Sequence, residues 1–462
     1  MTETETSFSN IGLRPPLFTN LASLGYETMT PIQIASLPIL LKGVDVIAQA
    51  KTGSGKTAAF GLCILNELNT VSFAVQALVL CPTRELADQV SQSIRQLARL
   101  MPNVKVLNLS GGMPFTPQSD SLKHGAHIVV GTPGRIQKHL DKKSLSLNQL
   151  NTLVLDEADR MLDMGFFDEI KQIIDCCPRK RQTLLFSATY PKEIEGLANS
   201  VMQNPHQIMI EENNELDIEQ RFYEVAHASH KFSVLKELLL HYKPRSTLIF
   251  CNTKEQTVQV AQQLNHVGFS AITLNGDMEQ MDRDLAMIRF GNKSCSILVA
   301  TDVAARGLDI KELPAVINFD LAFDLDVHIH RIGRTGRAGH KGLALTITIP
   351  ADAQRLCIIE EHSKTPLLWD KTDHFDKTDT SIFLPEMVTI CLNAGRKDKI
   401  SPGDILGSLI KEAGLPASAI EKMNITTLHS YVAIHKNYAA KACQHFKNAK
   451  LKGRKVLVKK IE

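Results

Sequence analysis

The chain has 462 residues, a length typical of about three domains and too great for one compact core. Its 44% apolar and 22% charged residues are those of an ordinary globular protein, which argues against a disordered or fibrous chain. Residues 1–10 contain no apolar segment, and no run reaches the roughly 18 apolar residues of a membrane helix. We therefore expect neither a secretory signal nor a membrane partner.

The distribution of cysteines and of charge indicates the redox compartment and the class of partner. The nine cysteines are scattered without CxxC spacing, which is typical of reduced thiols in the cytoplasm and argues against a zinc site. The net charge is only +3, but residues 385–462 contain 14 Lys and Arg against 6 Asp and Glu, whereas the rest of the chain has 38 against 43. A basic terminal module on an acidic body predicts a polyanionic partner for that module.

Short apolar runs alternate with helical patterns up to residue 369, which predicts parallel βαβ units. A polar, acidic stretch at Glu211–Glu219 interrupts them and indicates two α/β domains, 1–210 and 211–369, not one large sheet. The predicted strands are Val44–Ala48, Ala77–Leu80, His127–Val130, Thr152–Leu155 and Thr183–Phe186 in the first domain, and Thr247–Phe250, Ala271–Leu274, Ile297–Ala300, Ala315–Phe319 and Leu343–Ile349 in the second.

A second polar stretch, Asp370–Thr380, predicts a linker over 370–384 and a third domain over 385–462. The order strand, helix, strand, strand, helix, strand is that of an RRM-like α+β module. The predicted elements are Met387–Leu392, Pro402–Ala413, Ile420–Ile425, Tyr431–Ile434, Ala439–Ala449 and Val456–Lys460. One aromatic, Tyr431, lies on its would-be central strand, so we expect only weak base stacking on the sheet.

A phosphate-binding loop is predicted after the first strand and before an apolar helical pattern. In such a loop, glycines let backbone N–H groups converge on phosphate at a helix N-terminus, Lys56 reaches the β- and γ-phosphates, and Thr57 ligates Mg²⁺. The loop reads Ala50-Lys51-Thr52-Gly53-Ser54-Gly55-Lys56-Thr57, with Ala50 where the usual pattern has Gly.

Three carboxylates, Asp156, Glu157 and Asp159, follow the buried strand Thr152–Leu155. Taken alone they are better explained as acids at a helix N-terminus, where the macrodipole favours negative charge. Beside a phosphate loop they acquire a function: Asp156 would hold Mg²⁺, and Glu157 would orient or activate the attacking water.

Two residues upstream are candidates for the base of a nucleotide. The amide of Gln33 can donate to and accept from an adenine edge at once, and Phe8 can stack on the same base. The alternative is that both are ordinary structural residues.

Motifs along residues 8–349 resemble, in order, those of DEAD-box ATP-dependent RNA helicases. Beyond Gln33 and the phosphate loop, they are Pro82-Thr83-Arg84-Glu85-Leu86, Gly111-Gly112, Thr132-Pro133-Gly134-Arg135, Asp156-Glu157-Ala158-Asp159, Ser187-Ala188-Thr189, Leu248–Asn252, Ala300–Asp309 and His330–Arg337. The resemblance implies two RecA-like domains whose cleft closes on ATP and RNA together.

The resemblance also implies residue roles. ATP and Mg²⁺ are the implied cofactors, Asp309 lies near the ribose, and Arg334 and Arg337 are arginine fingers that stabilise the transition state. The resemblance also implies residues that couple ATP hydrolysis to RNA binding: Asp159, Ser187, Thr189, Arg306 and His330. RNA contacts fall to Thr83, Arg84, Gly112, Thr132, Arg135 and Thr301, whose groups suit phosphate and sugar, so this binding should be largely independent of sequence.

The basic third domain resembles the C-terminal domain of DbpA-type bacterial helicases through Gly395–Ile400 and Gly403–Gly407. That resemblance implies a grip on a hairpin of large-subunit ribosomal RNA, within pre-50S-type particles, with Arg396, Lys397 and Lys399 as the contacts. We expect a monomeric, RNA-stimulated ATPase that unwinds ribosomal RNA locally. An ATP-gated RNA clamp with little strand separation is an alternative that the sequence leaves open, whereas the RNA-type motifs argue against a third possibility, a DNA-directed motor.

Overall fold

The computed structural model describes residues 6–50, 53–190, 192–210, 218–305, 313–336, 341–363 and 366–461. The described residues up to Ile210 form one compact unit, and those from Ile218 onward form another. Within these residues no helix is long and apolar enough to cross a membrane.

The first unit is a seven-stranded, wholly parallel sheet flanked by helices, in the order β3-β4-β2-β5-β6-β1-β7. Its central strands are buried on both faces, because helices cover both sides of a parallel sheet. The elements are α1 Pro15–Ser23, α2 Pro31–Leu40, β1 Val46–Gln49, α3 Lys56–Glu67, β2 Ala77–Leu80, α4 Arg84–Leu97, β3 Val106–Leu109, α5 Phe115–Lys123, β4 Ile128–Gly131, α6 Pro133–Asp141, β5 Thr152–Asp156, α7 Ala158–Asp163, α8 Phe167–Asp175, β6 Gln182–Ser187, α9 Lys192–Val201 and β7 His206–Met209.

The second unit begins with another seven-stranded parallel sheet, in the order β10-β11-β9-β12-β13-β8-β14. Both sheets have the RecA-like parallel α/β organisation that the resemblance implied. Five strands of each sheet lie within one or two residues of their predicted positions. The elements are β8 Ile218–Glu224, α10 Lys231–Tyr242, β9 Thr247–Phe250, α11 Lys254–His266, β10 Ala271–Leu274, α12 Gln280–Gly291, β11 Ile297–Ala300, α13 Asp302–Ala305, β12 Ala315–Asn318, α14 Leu325–Ile332, β13 Gly342–Thr348, α15 Ala353–Ser363 and β14 Trp369–Asp370.

The second unit ends with a four-stranded antiparallel sheet in the order β16-β17-β15-β20, which confirms the RRM-like domain. Its core lies between this sheet and two helices, around Ile390, Val432 and Phe446. The elements are β15 Met387–Leu392, α16 Pro402–Gly407, β16 Ile420–Ile425, β17 Ser430–His435, α17 Lys436–Asn448, β18 Lys450–Leu451, β19 Arg454–Lys455 and β20 Val458–Ile461.

Four strands of the parallel sheets were not predicted: β3, β7, β8 and β14. β3, β7 and β14 are edge strands, and β7 exposes three of its four residues. The prediction relied on the continuous apolar runs of buried parallel strands, and none of these four strands presents such a run. The acidic stretch predicted as a linker, Glu211–Glu219, ends inside β8, while its residues 211–217 lie outside the described part of the chain.

The polar interval predicted as the second linker lies against the second parallel-sheet domain. Phe375 is only 7% exposed, belongs to the core around Ile249 and Ile317, and stacks on His241 with ring centroids 3.9 Å apart. Lys243 at the end of α10 pairs with Asp379. Residues 370–384 therefore include a segment anchored on that domain.

Candidate active site and RNA-contact residues

The phosphate loop joins β1 to α3. Gly53 and Gly55 have φ of +90° and +97°, a region that glycine enters without the penalty of a Cβ. Helix α3 begins at Lys56, a residue that is 5% exposed and whose ammonium donates to the carbonyl of Ala50 at 2.6 Å. The hydroxyl of Ser54 is buried and has no hydrogen-bond partner among the described residues. A buried ammonium and an unpartnered hydroxyl at a helix N-terminus are suited to an anion. The predicted residues Lys51 and Thr52 lie outside the described residues.

The amide of Gln33 connects α2 to this loop. Its Oε1 accepts from the backbone N–H of Thr30 at 3.0 Å, as in a capping box, and its Nε2 donates to the carbonyl of Gly55 at 3.1 Å. A Cβ at Gly55 would lie 2.6 Å from that Nε2, so the close approach requires glycine. One N–H and one lone pair of the amide remain beyond these bonds, and contact with an adenine edge stays a prediction.

Phe8 is buried. It is 3% exposed, belongs to the core of the first unit, and meets Tyr26 edge-on with centroids 6.3 Å apart. In this arrangement Phe8 is a core residue, and its stacking on a base stays a prediction.

Asp156 and Glu157 stand at the carboxyl end of β5, the edge where open α/β sheets bind their ligands. Both are buried, at 3% and 4% exposed. Burial raises the pKa of Asp156 to about 7, against the attraction of Lys56. Glu157 has φ +53°, a left-handed conformation that costs a non-glycine residue on the order of 1 kcal/mol.

Asp159 is held by the loop after β6. Its Oδ2 accepts from the N–H of Ala188 at 3.1 Å, from the N–H of Thr189 at 2.9 Å and from the hydroxyl of Thr189 at 3.0 Å, while its own N–H donates to the hydroxyl of Ser187 at 3.3 Å. Although burial opposes it, the Thr189 amide and the charge of Arg160 lower the pKa of Asp159. Three of the predicted coupling residues therefore form one network.

The residues present fit a Mg²⁺ nucleotide. Among the described residues, no group of three or more His, Cys, Asp or Glu side chains could hold a metal alone. Mg²⁺ is commonly bound through one or two carboxylates together with substrate phosphates, and the buried Asp156 and half-buried Thr57 are of the residue types that could serve as its protein ligands.

Strand order separates the predicted nucleotide residues from the predicted RNA residues. The phosphate loop follows β1, and the acids and Ser187 lie at the carboxyl ends of β5 and β6, which with β1 are consecutive strands of the sheet. Thr83, Gly112 and Thr132 instead follow β2, β3 and β4 on the other half of the sheet. The second set forms a cluster: Thr83 caps α4, a Cβ at Gly111 would lie 3.1 Å from the guanidinium of Arg84, and the pKa of Arg135 is lowered by burial and by the charge of Arg84.

In the second unit, Thr301 is buried directly after β11, His330 lies in α14, and Arg334 follows that helix and is 7% exposed. Arg306, Asp309 and Arg337 lie outside the described residues.

Arg331 is a buried residue to which the sequence reasoning gave no role, although it stands inside the motif His330–Arg337. Its guanidinium makes two bonds to Asp302, at 2.6 and 2.7 Å, and others to Asn252 at 2.8 Å and to the carbonyl of Asp320 at 2.5 Å. It thus ties together the segments that follow β9, β11 and β12.

The three cations assigned to ribosomal RNA are exposed on one short loop of the third domain. The loop is fixed at its base: a Cβ at Gly395 would lie 2.6 Å from the carbonyl of Thr426, and Asp398 pairs with Arg454 at 2.5 Å. Arg396, Lys397 and Lys399 are therefore presented on an ordered scaffold.

The outer face of the antiparallel sheet lies against the second parallel-sheet domain at Thr389. This residue is 0% exposed, and its hydroxyl bonds to Asn292 at 3.1 Å and to Ser294 at 2.7 Å. Lys293 pairs with Glu421 at 3.1 Å, and Tyr431 is half-buried. The expectation of weak stacking on this sheet rested on its lack of aromatics, and this contact is a second reason for it.

Three family models match the chain: "DEAD/DEAH box helicase" over residues 30–197, "Helicase conserved C-terminal domain" over 230–339 and "DbpA RNA binding domain" over 389–460. Among curated proteins, the ATP-dependent RNA helicase DbpA of Escherichia coli (strain K12) is 50% identical over 459 residues, which are 99% of this chain and 100% of the relative. The ATP-dependent RNA helicase CshA of Listeria monocytogenes is 44% identical over 361 residues, 78% of this chain and 69% of the relative.

Among solved structures, S. cerevisiae Dbp5 bound to RNA and ADP BeF3 is similar with a TM-score of 0.73 and 30% identity, over 81% of this chain and 98% of that one. Both kinds of comparison agree with the two parallel-sheet domains described above.

Proposed function

The chain belongs to the DEAD/DEAH box helicases, as an ATP-dependent RNA helicase of the DbpA type, and from this premise we propose that it locally unwinds ribosomal RNA during assembly of the large ribosomal subunit. The observation that carries the proposal is the exposed loop with Arg396, Lys397 and Lys399 on a basic domain. In the proposal this loop grips a ribosomal RNA hairpin and holds the motor on a pre-50S-type particle.

The nucleotide site supports specific roles for its residues. Lys56 and the loop N–H groups bind the β- and γ-phosphates, and Thr57 and Asp156 would hold Mg²⁺. When bound there, the ion would supply positive charge that neutralises the phosphates. Glu157 orients the attacking water, and Arg334 and Arg337 stabilise the charge that develops on the transferred phosphoryl group.

The RNA roles are divided between general and specific contacts. Thr83, Arg84 and their neighbours offer hydroxyl, amide and guanidinium groups, which recognise the RNA backbone and carry little sequence information. In the proposal, target choice therefore belongs to the third domain.

A panel of ribosomal RNA fragments tests this division through RNA-stimulated ATP turnover. A variant with Arg396, Lys397 and Lys399 all changed to Ala should lose its preference for one large-subunit fragment but keep weak stimulation by generic RNA. The matched control changes three exposed lysines of the first unit, Lys42, Lys171 and Lys180, and should keep the preference. An unchanged preference in the loop variant would assign specificity to another surface.

A duplex-displacement assay on the preferred fragment separates unwinding from clamping. The proposal expects strand displacement that requires ATP. Hydrolysis without displacement of any RNA duplex would instead identify an ATP-gated clamp, and equal stimulation by single-stranded DNA would contradict an RNA-specific motor.

A further inference from the structure

Arg160 is a buried cation to which neither the sequence reasoning nor the proposed function assigns a role. It lies in α7, directly after Asp159, and is 3% exposed. Its Nη1 donates to the Oε2 of Glu157 at 2.5 Å, and the two side chains are 3% and 5% exposed. A charge-assisted hydrogen bond of this length between buried groups is among the strong ones.

The backbone brings the two residues together. Glu157 occupies the left-handed conformation between β5 and α7, and Arg160 follows three residues later, one turn into the helix. Residues three apart on a helix are neighbours, so the turn that starts at Glu157 places the guanidinium over its own first residue. Left-handed non-glycine residues persist where the surroundings over-determine them, and they cluster at active sites.

The pair of Glu157 and Arg160 lies among several buried negative charges. Asp156, Glu157 and Asp159 place three acids within four positions, all buried. A buried carboxylate without a partner is strongly unfavourable, and removing one member of a buried ion pair leaves the other charge uncompensated. Among the described residues, Arg160 is a cation that directly contacts Glu157, while the ammonium of Lys56 bonds to the carbonyl of Ala50.

The bond from Arg160 engages one of the two carboxylate oxygens of Glu157. A carboxylate has about four lone-pair positions on its two oxygens, so one that is held through Oε2 can also accept a hydrogen bond from water. In metal sites, mutating a residue that holds a metal ligand in place typically lowers metal affinity or activity by about 10–100-fold.

We propose that Arg160 is a positioning residue for ATP hydrolysis, which fixes the Glu157 carboxylate in one orientation toward the attacking water. The proposal rests on the water-orienting role of Glu157 in the proposed function. An opposite role, in which Arg160 sequesters Glu157 and restrains hydrolysis, predicts the opposite sign in the experiment.

The experiment compares Arg160→Met, Arg160→Lys and Arg160→Gln in the full chain, through kcat and KM for ATP at saturating RNA. Nucleotide-binding stoichiometry corrects for the fraction of folded protein. We expect Arg160→Met to lower kcat on the order of 10–100-fold with KM within about twofold, because positioning acts on the reaction and not on ATP binding. Arg160→Lys, which retains a cation, should recover most of kcat, and Arg160→Gln, which retains only a hydrogen bond, should recover less.

Arg181→Met is the matched control. This half-buried arginine bonds to the carbonyls of Pro178 and Val201, and its loss should leave kcat unchanged.

A double-mutant cycle with Glu157→Gln completes the test. If Arg160 acts through Glu157, adding Arg160→Met to Glu157→Gln should lower kcat no further. Wild-type kcat in Arg160→Met, faster turnover without RNA, or additive losses in the double variant would each overturn the proposal. Rapid turnover by Glu157→Gln alone would overturn the assignment of Glu157 itself, which distinguishes failure of the proposed function from failure of this inference.

Discussion

Removing the Arg331 guanidinium should destabilise the second unit severely. In Arg331→Met the carboxylate of Asp302, the amide oxygen of Asn252 and the carbonyl of Asp320 all lose a donor, at a residue that is 1% exposed. Breaking a buried ion pair by removing one partner costs roughly 3–5 kcal/mol, because the other charge is left uncompensated. The Phe250 ring, 5.0 Å from the guanidinium carbon, loses a cation–π contact of about 1 kcal/mol as well.

We therefore expect a loss of about 4 kcal/mol, which corresponds to a fall in Tm of roughly 10 °C for a domain of this size. Chemical denaturation monitored by amide hydrogen exchange of β9, β11 and β12 would localise the loss. The double variant Arg331→Met/Asp302→Leu should be more stable than Arg331→Met, since it removes the unpaired charge. A loss below about 1 kcal/mol in Arg331→Met, or no recovery in the double variant, would refute the electrostatic reasoning.

Further predictions concern the nucleotide loop, the coupling network and pH. Lys56→Ala should lower ATP turnover by on the order of 100-fold or more, because the γ-phosphate loses its buried cation, and wild-type turnover would contradict the phosphate-loop assignment. Gly55→Ala should raise KM for ATP, since its φ of +97° and the 2.6 Å approach to Gln33 leave no room for a Cβ; an unchanged KM would show that the loop adapts. Asp159→Asn should lower RNA stimulation of the ATPase more than nucleotide affinity, measured with a fluorescent nucleotide, because it weakens the bonds to the loop after β6. Burial and the charge of a neighbouring arginine lower the pKa of His328 to about 4, below the 6.5 of the unfolded chain. The unfolded state therefore binds the proton first, so stability is lost as pH falls from about 6.5 toward 4, by about 2 kcal/mol between pH 7 and pH 5; His328→Gln should abolish this part of the pH dependence in denaturation of the second unit.

The sequence by itself determined the local chemistry of the first domain. The phosphate loop, the acids after β5 and the Ser187–Thr189 motif are contiguous stretches whose strand-turn-helix context can be read from apolar runs, glycines and capping residues. Their strands lay within two residues of the predicted positions, because buried parallel strands are short and almost purely apolar. The RRM-like domain was predicted for a similar reason, from the order of its elements.

Only the tertiary structure decided which of these stretches are neighbours. Crossover connections of similar length do not encode strand order. The separation of the predicted nucleotide residues from the predicted RNA residues on the first sheet therefore became visible only from the order β3-β4-β2-β5-β6-β1-β7. The burial of Thr389 depends on residues about 95 positions away, and a local pattern cannot reveal it. The bond from Arg160 to Glu157 depends on a left-handed residue, and spacing alone would not distinguish it from an exposed helical pair. Residue types and spacing specified the chemistry, whereas long-range packing determined which side chains are buried, paired and held in place.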